Sequence, residues 1–562
     1  MSGWSRERFR RPDGRDRPPG GPFSRAARNR KNLLAVAAGL LLLLFNFAAC
    51  SRPASTFGGN ILRVSQRNEP ADLDPATASL PDEFFIIGAL SEGLLVPDPA
   101  GGAPLPGAAD SFDISGDGLT YTFHLRPAAV WSNGEPITAA DFAESYHRLL
   151  NPATAAPKAD LFFMVHNARA FATGALADFS KVGFHASNAH TLVVALERPF
   201  ARFPYYVASG PWMPANPRIV ARYGRTWTEP AHFVGNGPFV LTEWRGQQRI
   251  VVKKNPRYRA AGNIRLDEID FVRFDDDDTE ERAFRTGQID VTVTVPRTKL
   301  SVYAREHPAE LHHAPTAETR FLSFNTRRPA LADARVRRAL ALAIDRARIV
   351  ERITQGGQQP ALRFVPAQLR PPGEAPPEGQ FSHDPAEARH LLAEAGFAGG
   401  NGFPHVELVA WSHSQIPVLE VIQAMWRNEL GIDVTVATRE AKVLLAALAT
   451  GDYDIAFVTT LALLDVNDPV ALLDNFTADG ANNFPHWQSA EYDRLLAAAR
   501  TERDAPRLAA ELARAESLLL TAAPVAPLYF NARNWLMSPR VHGWHEDALW
   551  TRSYRKISVD EN

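Results

Sequence analysis

From Ile61 to the C-terminus, short runs rich in β-branched and aromatic residues alternate with segments whose apolar positions recur every three or four residues. That alternation is the signature of an α/β protein. Leu119 to Leu125 (LTYTFHL), Thr191 to Glu197 (TLVVALE), Ile250 to Lys253 and Val406 to Val409 are predicted strands. Ala334 to Ile353, Asp384 to Ala395, Pro417 to Leu430 and Ala505 to Thr521 are predicted helices. Thr138 before Ala139-Ala140-Asp141 marks a helix start, Asp384-Pro385 places proline at the first helical position, and Gly396 is placed to stop that helix. No repeat of about 20 to 50 residues is present, which excludes a solenoid or propeller. A chain of 562 residues, 45% hydrophobic and 22% charged, is globular and too long for one core, so two or three domains are expected. Proline- and glycine-rich stretches at Pro97 to Pro106 and Arg370 to Gly379, and the proline-aromatic stretch Trp212 to Pro230, connect elements or lobes.

The charge is unevenly placed. Residues 1–31 hold ten Arg and Lys against three acids, residues 32–49 hold no charge, and the remainder carries -9 of a total of -2. The basic stretch ends at Arg28-Asn29-Arg30-Lys31, and an apolar run from Leu33 to Phe45 leads to Phe47-Ala48-Ala49-Cys50. This is the order of a secretory signal, with small residues before a cysteine as in a bacterial lipoprotein. The run is short for a spanning helix, which needs about 20 apolar residues. Residues 1–49 are therefore expected to be a signal peptide, Cys50 the lipidated residue, and 50–60 a tether; an uncleaved anchor is the alternative. The net-acidic body argues against a nucleic-acid partner, whose phosphates need clustered cations. Cys50 is the single cysteine, which excludes disulfides and Cys-ligated clusters within the chain.

Motifs of catalysis are absent: no G-x-S-x-G, H-E-x-x-H, Walker loop or G-x-G-x-x-G occurs. Ser553-Tyr554-Arg555-Lys556 fits S-x-x-K but lacks companion motifs. Asp275 to Asp278 lacks the ligand alternation of a calcium loop and reads as a turn plus helix N-terminus. His312-His313, on a strand, would face opposite ways and not chelate one metal. No enzyme activity and no cofactor is expected.

Eight strings resemble the oligopeptide-binding proteins of peptide ABC importers, within extracellular solute-binding protein family 5. They are Asn68 to Pro75 (NEPADLDP), Leu90 to Leu95 (LSEGLL), Asp117 to Arg126 (DGLTYTFHLR) with Val130 to Phe142 (VWSNGEPITAADF), Asn236-Gly237-Pro238-Phe239 with Trp244, Asn255-Pro256-Arg257-Tyr258, Thr286 to Asp290 (TGQID), and Asp333 to Arg346 (DARVRRALALAIDR). Most also have a structural reading: Phe123, Trp131 and Phe142 as core aromatics beneath a Ser132-Asn133-Gly134 turn, Asp333 and Asp345 as caps or ion-pair partners, Gly237-Pro238 as the shaper of a strand start.

The resemblance implies an α/β fold of the two-lobed periplasmic binding protein type II kind, with an inserted subdomain and a central ligand cleft. Lobe I would comprise 61–315, with the insert near 104–225, and lobe II 316–527. Residues 528–562 would return to lobe I, and Val525 to Phe530 (VAPLYF) would form part of the hinge. It further implies an oligopeptide ligand, an ABC permease with its ATPase subunits, a membrane contact through the lipid anchor, and a monomer at a bacterial cell surface or in the periplasm. Same-fold receptors for murein peptide, sugar, haem or a metal chelate are alternatives, and a surface-anchored hydrolase is a more distant one.

An extended peptide held by its backbone gives affinity without demanding particular side chains, but its enclosed α-amino group needs an anion. In the family a "D-Y-N-[ED]-P"-like loop supplies it; here Asp465-Val466-Asn467-Asp468-Pro469 follows the strand Tyr453 to Phe457. Asp465 is the candidate ligand carboxylate and Asp468 the cap of the helix beginning at Pro469. Phe457 to Leu464 (FVTTLALL) lacks the arginine that some relatives carry there. Arg320 is the candidate substitute cation, and Gln415 stands near where a relative has histidine. Glu92 is a candidate cleft residue with a structural hydrogen bond as the alternative.

Overall fold

The computed structural model describes residues 60–98, 102–370, 380–460, 466, 468–480, 482–545, 548–549 and 551–560. The body is two-lobed and α/β, and each of its three main sheets supports its own core. A mixed sheet in the order Ile61–Gln66, Glu268–Arg273, Arg249–Lys254, Phe239–Arg245 carries one lobe, its first pair parallel and the others antiparallel. Its core contains Leu62, Val64, Ile86, Leu90, Val252 and Phe271.

Between the first and last of these strands lies an antiparallel sheet in the order Ala109–Ile114, Thr120–Leu125, Thr191–Ala195, Phe184–Asn188. Thr120–Leu125 and Thr191–Ala195 bury every second residue, as strands with one solvated face should. The core beneath is aromatic: Phe123, Trp131, Phe142, Phe162 and Trp212 are fully buried, with Phe162 and Trp212 stacked at 4.1 Å. Over it lies the helix Ala139–Leu150, whose start carries the full capping box of Thr138 and Asp141.

The second lobe is a six-stranded sheet in the order Gln359–Pro360, Val525–Leu536, Leu311–Phe324, Ile455–Thr459, Val406–Ala410, Val434–Thr438. Val406–Ala410 is parallel to both its neighbours, and the remaining pairs are antiparallel. Predicted helices appear as Pro385–Glu394, Ile416–Leu430 and Ala505–Ala522, the first capped by Asp384 and followed by Gly396 at φ +93°. The single helix expected over 334–353 is instead broken. Ala334–Leu342 ends, Asp345 caps a new turn at Arg346, and the buried Arg346 guanidinium donates to the carbonyls of Ala341, Ile344, Phe381 and Pro527. A guanidinium whose donors meet this many main-chain carbonyls holds the chain in the break, which outweighs helical periodicity.

Two strands run through both lobes. Leu311–Phe324 pairs with Val525–Leu536 along almost its whole length, but the register slips between Pro315 and Thr319 and again between Arg320 and Phe321. On one side of these bulges Leu311 and Leu536 pack with the 283–303 segment, and on the other Phe321, Phe324 and Val525 join the second-lobe core. Local loss of ladder bonds between two separately cored halves is where bending is easiest. Among the described residues no helix is long and apolar enough to cross a membrane.

Candidate functional site

Three of the sequence motifs meet around one carboxylate. Asn236 brackets the Glu92 backbone, accepting from its N–H at 2.9 Å and donating to its carbonyl at 2.8 Å. Asn255 in turn donates to the Gly237 carbonyl at 2.9 Å. The Glu92 side chain, 2% exposed, accepts from Tyr258 Oη at 2.7 Å, from Nε and Nη2 of Arg259 at 2.8 Å each, and pairs with Arg555 Nη2 at 2.9 Å. Burial together with the adjacent carboxylate pushes the Tyr258 phenol well above its ordinary range. Gly237 sits so close to the preceding helix that a Cβ there would lie 2.4 Å from the Leu90 carbonyl carbon and 2.5 Å from the Ser91 nitrogen. Gly237→Ala is therefore expected to cost about 1–3 kcal/mol in urea unfolding, whereas Gly262→Ala, with open space around it, leaves the unfolding curve unchanged.

In front of this cluster lies a cavity of about 220 Å³. The helix Pro81–Leu90 gives it Pro81, Phe84 and Phe85; the aromatic unit gives Tyr205 and Pro211; the C-terminal segment gives Leu549 and Thr551 to Arg555; and Val466, which packs into the aromatic core, comes from the stretch just before the helix Pro469–Asp474. Most of the wall is apolar, with cations at its edges: the Arg552 guanidinium, 5% exposed, lies 4.0 Å over the Phe85 ring and 5.4 Å over Trp544. A concave, mostly apolar space with a few fixed charges suits a small organic ligand.

The sequence candidates are distributed unequally around this space. Cys50 and Asp465 lie outside the described residues. Val466, next in the chain to Asp465, is 3% exposed and in the cavity wall. Glu92 does not line the cavity: its neighbour Ser91 does, and its carboxylate is fully engaged behind the wall, because three donors converge on it. Arg320 and Gln415 are also not part of this wall. Arg320 stands opposite Thr459 in the second-lobe sheet, its Nε 2.5 Å from the buried Glu318 and its guanidinium over the rings of Trp411 and Phe457 at 5.6 and 5.9 Å. Glu318 also accepts from Thr459 at 2.5 Å and from Asn531 at 2.7 Å, so the Arg320 charge is neutralised locally. Gln415, 9% exposed, occupies the turn before the helix Ile416–Leu430, with its Oε1 lacking a hydrogen-bond partner among the described residues. Asp468 does cap the helix Pro469–Asp474, accepting from the Val470 N–H. Sequence reasoning missed the cavity-lining C-terminal segment; its signal is the cluster of Trp544, Arg552, Tyr554 and Arg555 within the last twenty residues.

The family model for bacterial extracellular solute-binding proteins, family 5, matches residues 103–484. The chain is 30% identical over 528 residues to the periplasmic murein peptide-binding protein MppA of Escherichia coli K12, covering 91% of this chain and 97% of that one. It is 31% identical over 498 residues to the oligopeptide-binding protein OppA of Bacillus subtilis 168, covering 86% and 90%. The solved structure of the Escherichia coli murein tripeptide-binding protein MppA superposes with a TM-score of 0.77 at 29% identity, over 90% of this chain and 99% of that one.

Proposed function

The chain belongs to the bacterial extracellular solute-binding proteins of family 5, and from that premise we propose that it is the extracytoplasmic receptor of an ABC importer, taking oligopeptides into a cleft that includes this cavity and handing them to the permease. The observation that carries this is the cavity itself, with Val466 beside Asp465 in its wall, in a chain that is similar over most of its length to MppA and OppA, which are named as murein peptide- and oligopeptide-binding. The protein binds and does not transform its ligand.

Asp465 supplies the carboxylate for the ligand amine; Arg320, already paired with Glu318, and Gln415 lie outside the cavity wall and meet only a ligand that extends beyond the cavity onto the six-stranded sheet. Glu92 contributes by holding Ser91 and Arg555 in place. Lobe I is 61–315 with 528–562, lobe II is 316–527, and the lobes close about the strands Leu311–Phe324 and Val525–Leu536. Residues 1–49 direct export, and lipid on Cys50 tethers a monomer to the outer face of the cytoplasmic membrane. A murein peptide is the second reading, favoured by the resemblance to MppA.

Native mass spectrometry of protein purified without refolding tests both. A series of adducts with peptide masses supports the first reading, and one mass containing murein amino acids supports the second. A sugar, haem or metal chelate as sole adduct overturns both.

A further inference from the structure

We propose that Arg202 and Asp468 are a positioning pair: they seat the second-lobe part of the cavity wall on the inserted aromatic unit, and so set ligand affinity without touching ligand. The inference rests on the peptide-receptor reading for its ligand, but not for its geometry.

Asp468 is fully buried, and its Oδ1 receives Arg202 Nε at 2.9 Å across 266 positions of chain. Arg202 precedes the helix Phe203–Val207, and its guanidinium lies 3.8 Å over the ring of Tyr205, which lines the cavity. On the other side the Asp468 N–H donates to the Val466 carbonyl at 2.7 Å. Val466 lines the cavity and packs into the aromatic core that contains Phe203 and Trp212. Ala471, one helical turn further, touches this core and the second-lobe core together. A main-chain bond from the Ala201 N–H to the Arg500 carbonyl, at 3.2 Å, runs beside them. One short segment thus carries cavity wall, helix cap and lobe-to-lobe contact.

A cap alone does not require a carboxylate, since serine or asparagine caps equally well. A carboxylate buried this deeply is tolerated only with a cation beside it. When the lobes part, both groups return to water; when they meet, each relieves the other. Either group alone would therefore oppose closure, and the pair removes that penalty. Burial pushes the Asp468 carboxyl upward against the lowering influence of Arg202, as expected where the partner is what keeps the charge in place.

The test is calorimetry of full-length protein with a synthetic library of tri- to pentapeptides, for wild type, Arg202→Met, Asp468→Asn and the double variant, with small-angle scattering of each without ligand. Each single change is expected to weaken binding about tenfold or more, and to shift scattering toward a larger radius of gyration. The double variant, which leaves neither charge alone, is expected to recover to within about threefold of wild type, as for an isosteric replacement of a buried pair. Asn retains the cap, so Asp468→Asn remains folded and keeps the test decisive. Single variants that bind and scatter like wild type overturn the proposal, and so do losses that simply add in the double variant. A wild type that takes no peptide overturns the functional reading instead, and the scattering comparison still decides the pair.

Discussion

Glu92→Ala is expected to destabilise the first lobe by about 3 kcal/mol, seen as a lower urea midpoint. The figure is the lower end of the range for removing one partner of a buried ion pair, because Arg259 and Arg555 each keep about a quarter of their side chain in water and can partly rehydrate. Three donors lose their acceptor at once: the Tyr258 hydroxyl and both guanidiniums. Glu92→Gln keeps the shape and one acceptor oxygen but not the charge, so its unfolding midpoint falls between those of Ala and wild type. Its peptide affinity stays within about threefold of wild type, since Glu92 is not a lining residue of the cavity and Arg555 keeps an acceptor oxygen. Abolished binding in Glu92→Gln with an unchanged unfolding curve would show that Glu92 meets ligand directly.

Asp465→Ala is expected to weaken peptide binding by about 2 kcal/mol or more, roughly thirtyfold, as for removing one partner of an enclosed charge pair. The enclosed ammonium of the ligand would then lack its anion, and dehydration without compensation is what raises the free energy of the complex. A second measurement isolates the contact. N-acetylated peptides, which carry no ammonium, should bind wild type as weakly as free peptides bind Asp465→Ala, and acetylation should cost the variant little more. Equal affinity of wild type and variant for the free peptides removes Asp465 from the site.

The motif strings were legible in the sequence, but not what most of them do. SEGLL lies far along the chain from NGPF and NPRY, and the resemblance to the family rests on all eight strings occurring in order. Only the fold shows that Asn236 and Tyr258 are tied to Glu92, with Tyr258 reaching it across 166 positions, and that Asn255 holds Gly237 beside Asn236. The expected cap at Asp468 was readable because proline follows it, and it is present. Its ion pair with Arg202 was not readable, because nothing in either neighbourhood marks the other as its partner. The break at Asp345 was missed for the same reason: the periodicity over 334–353 is helical, and the carbonyls that turn the chain lie partly at Phe381 and Pro527.

The sequence by itself determined the α/β alternation, the helix starts at Thr138, Asp384 and Asp468, and the buried aromatics Phe123, Trp131 and Phe142. These depend on backbone preference and hydrophobic period, which act within a few residues. Tertiary structure alone decided that Glu92 stands behind the wall, that the Arg552 segment forms part of it, and that Arg320 is neutralised by Glu318. A side chain's charge is written in the sequence, whereas the group that compensates it is chosen by which strands and lobes come together.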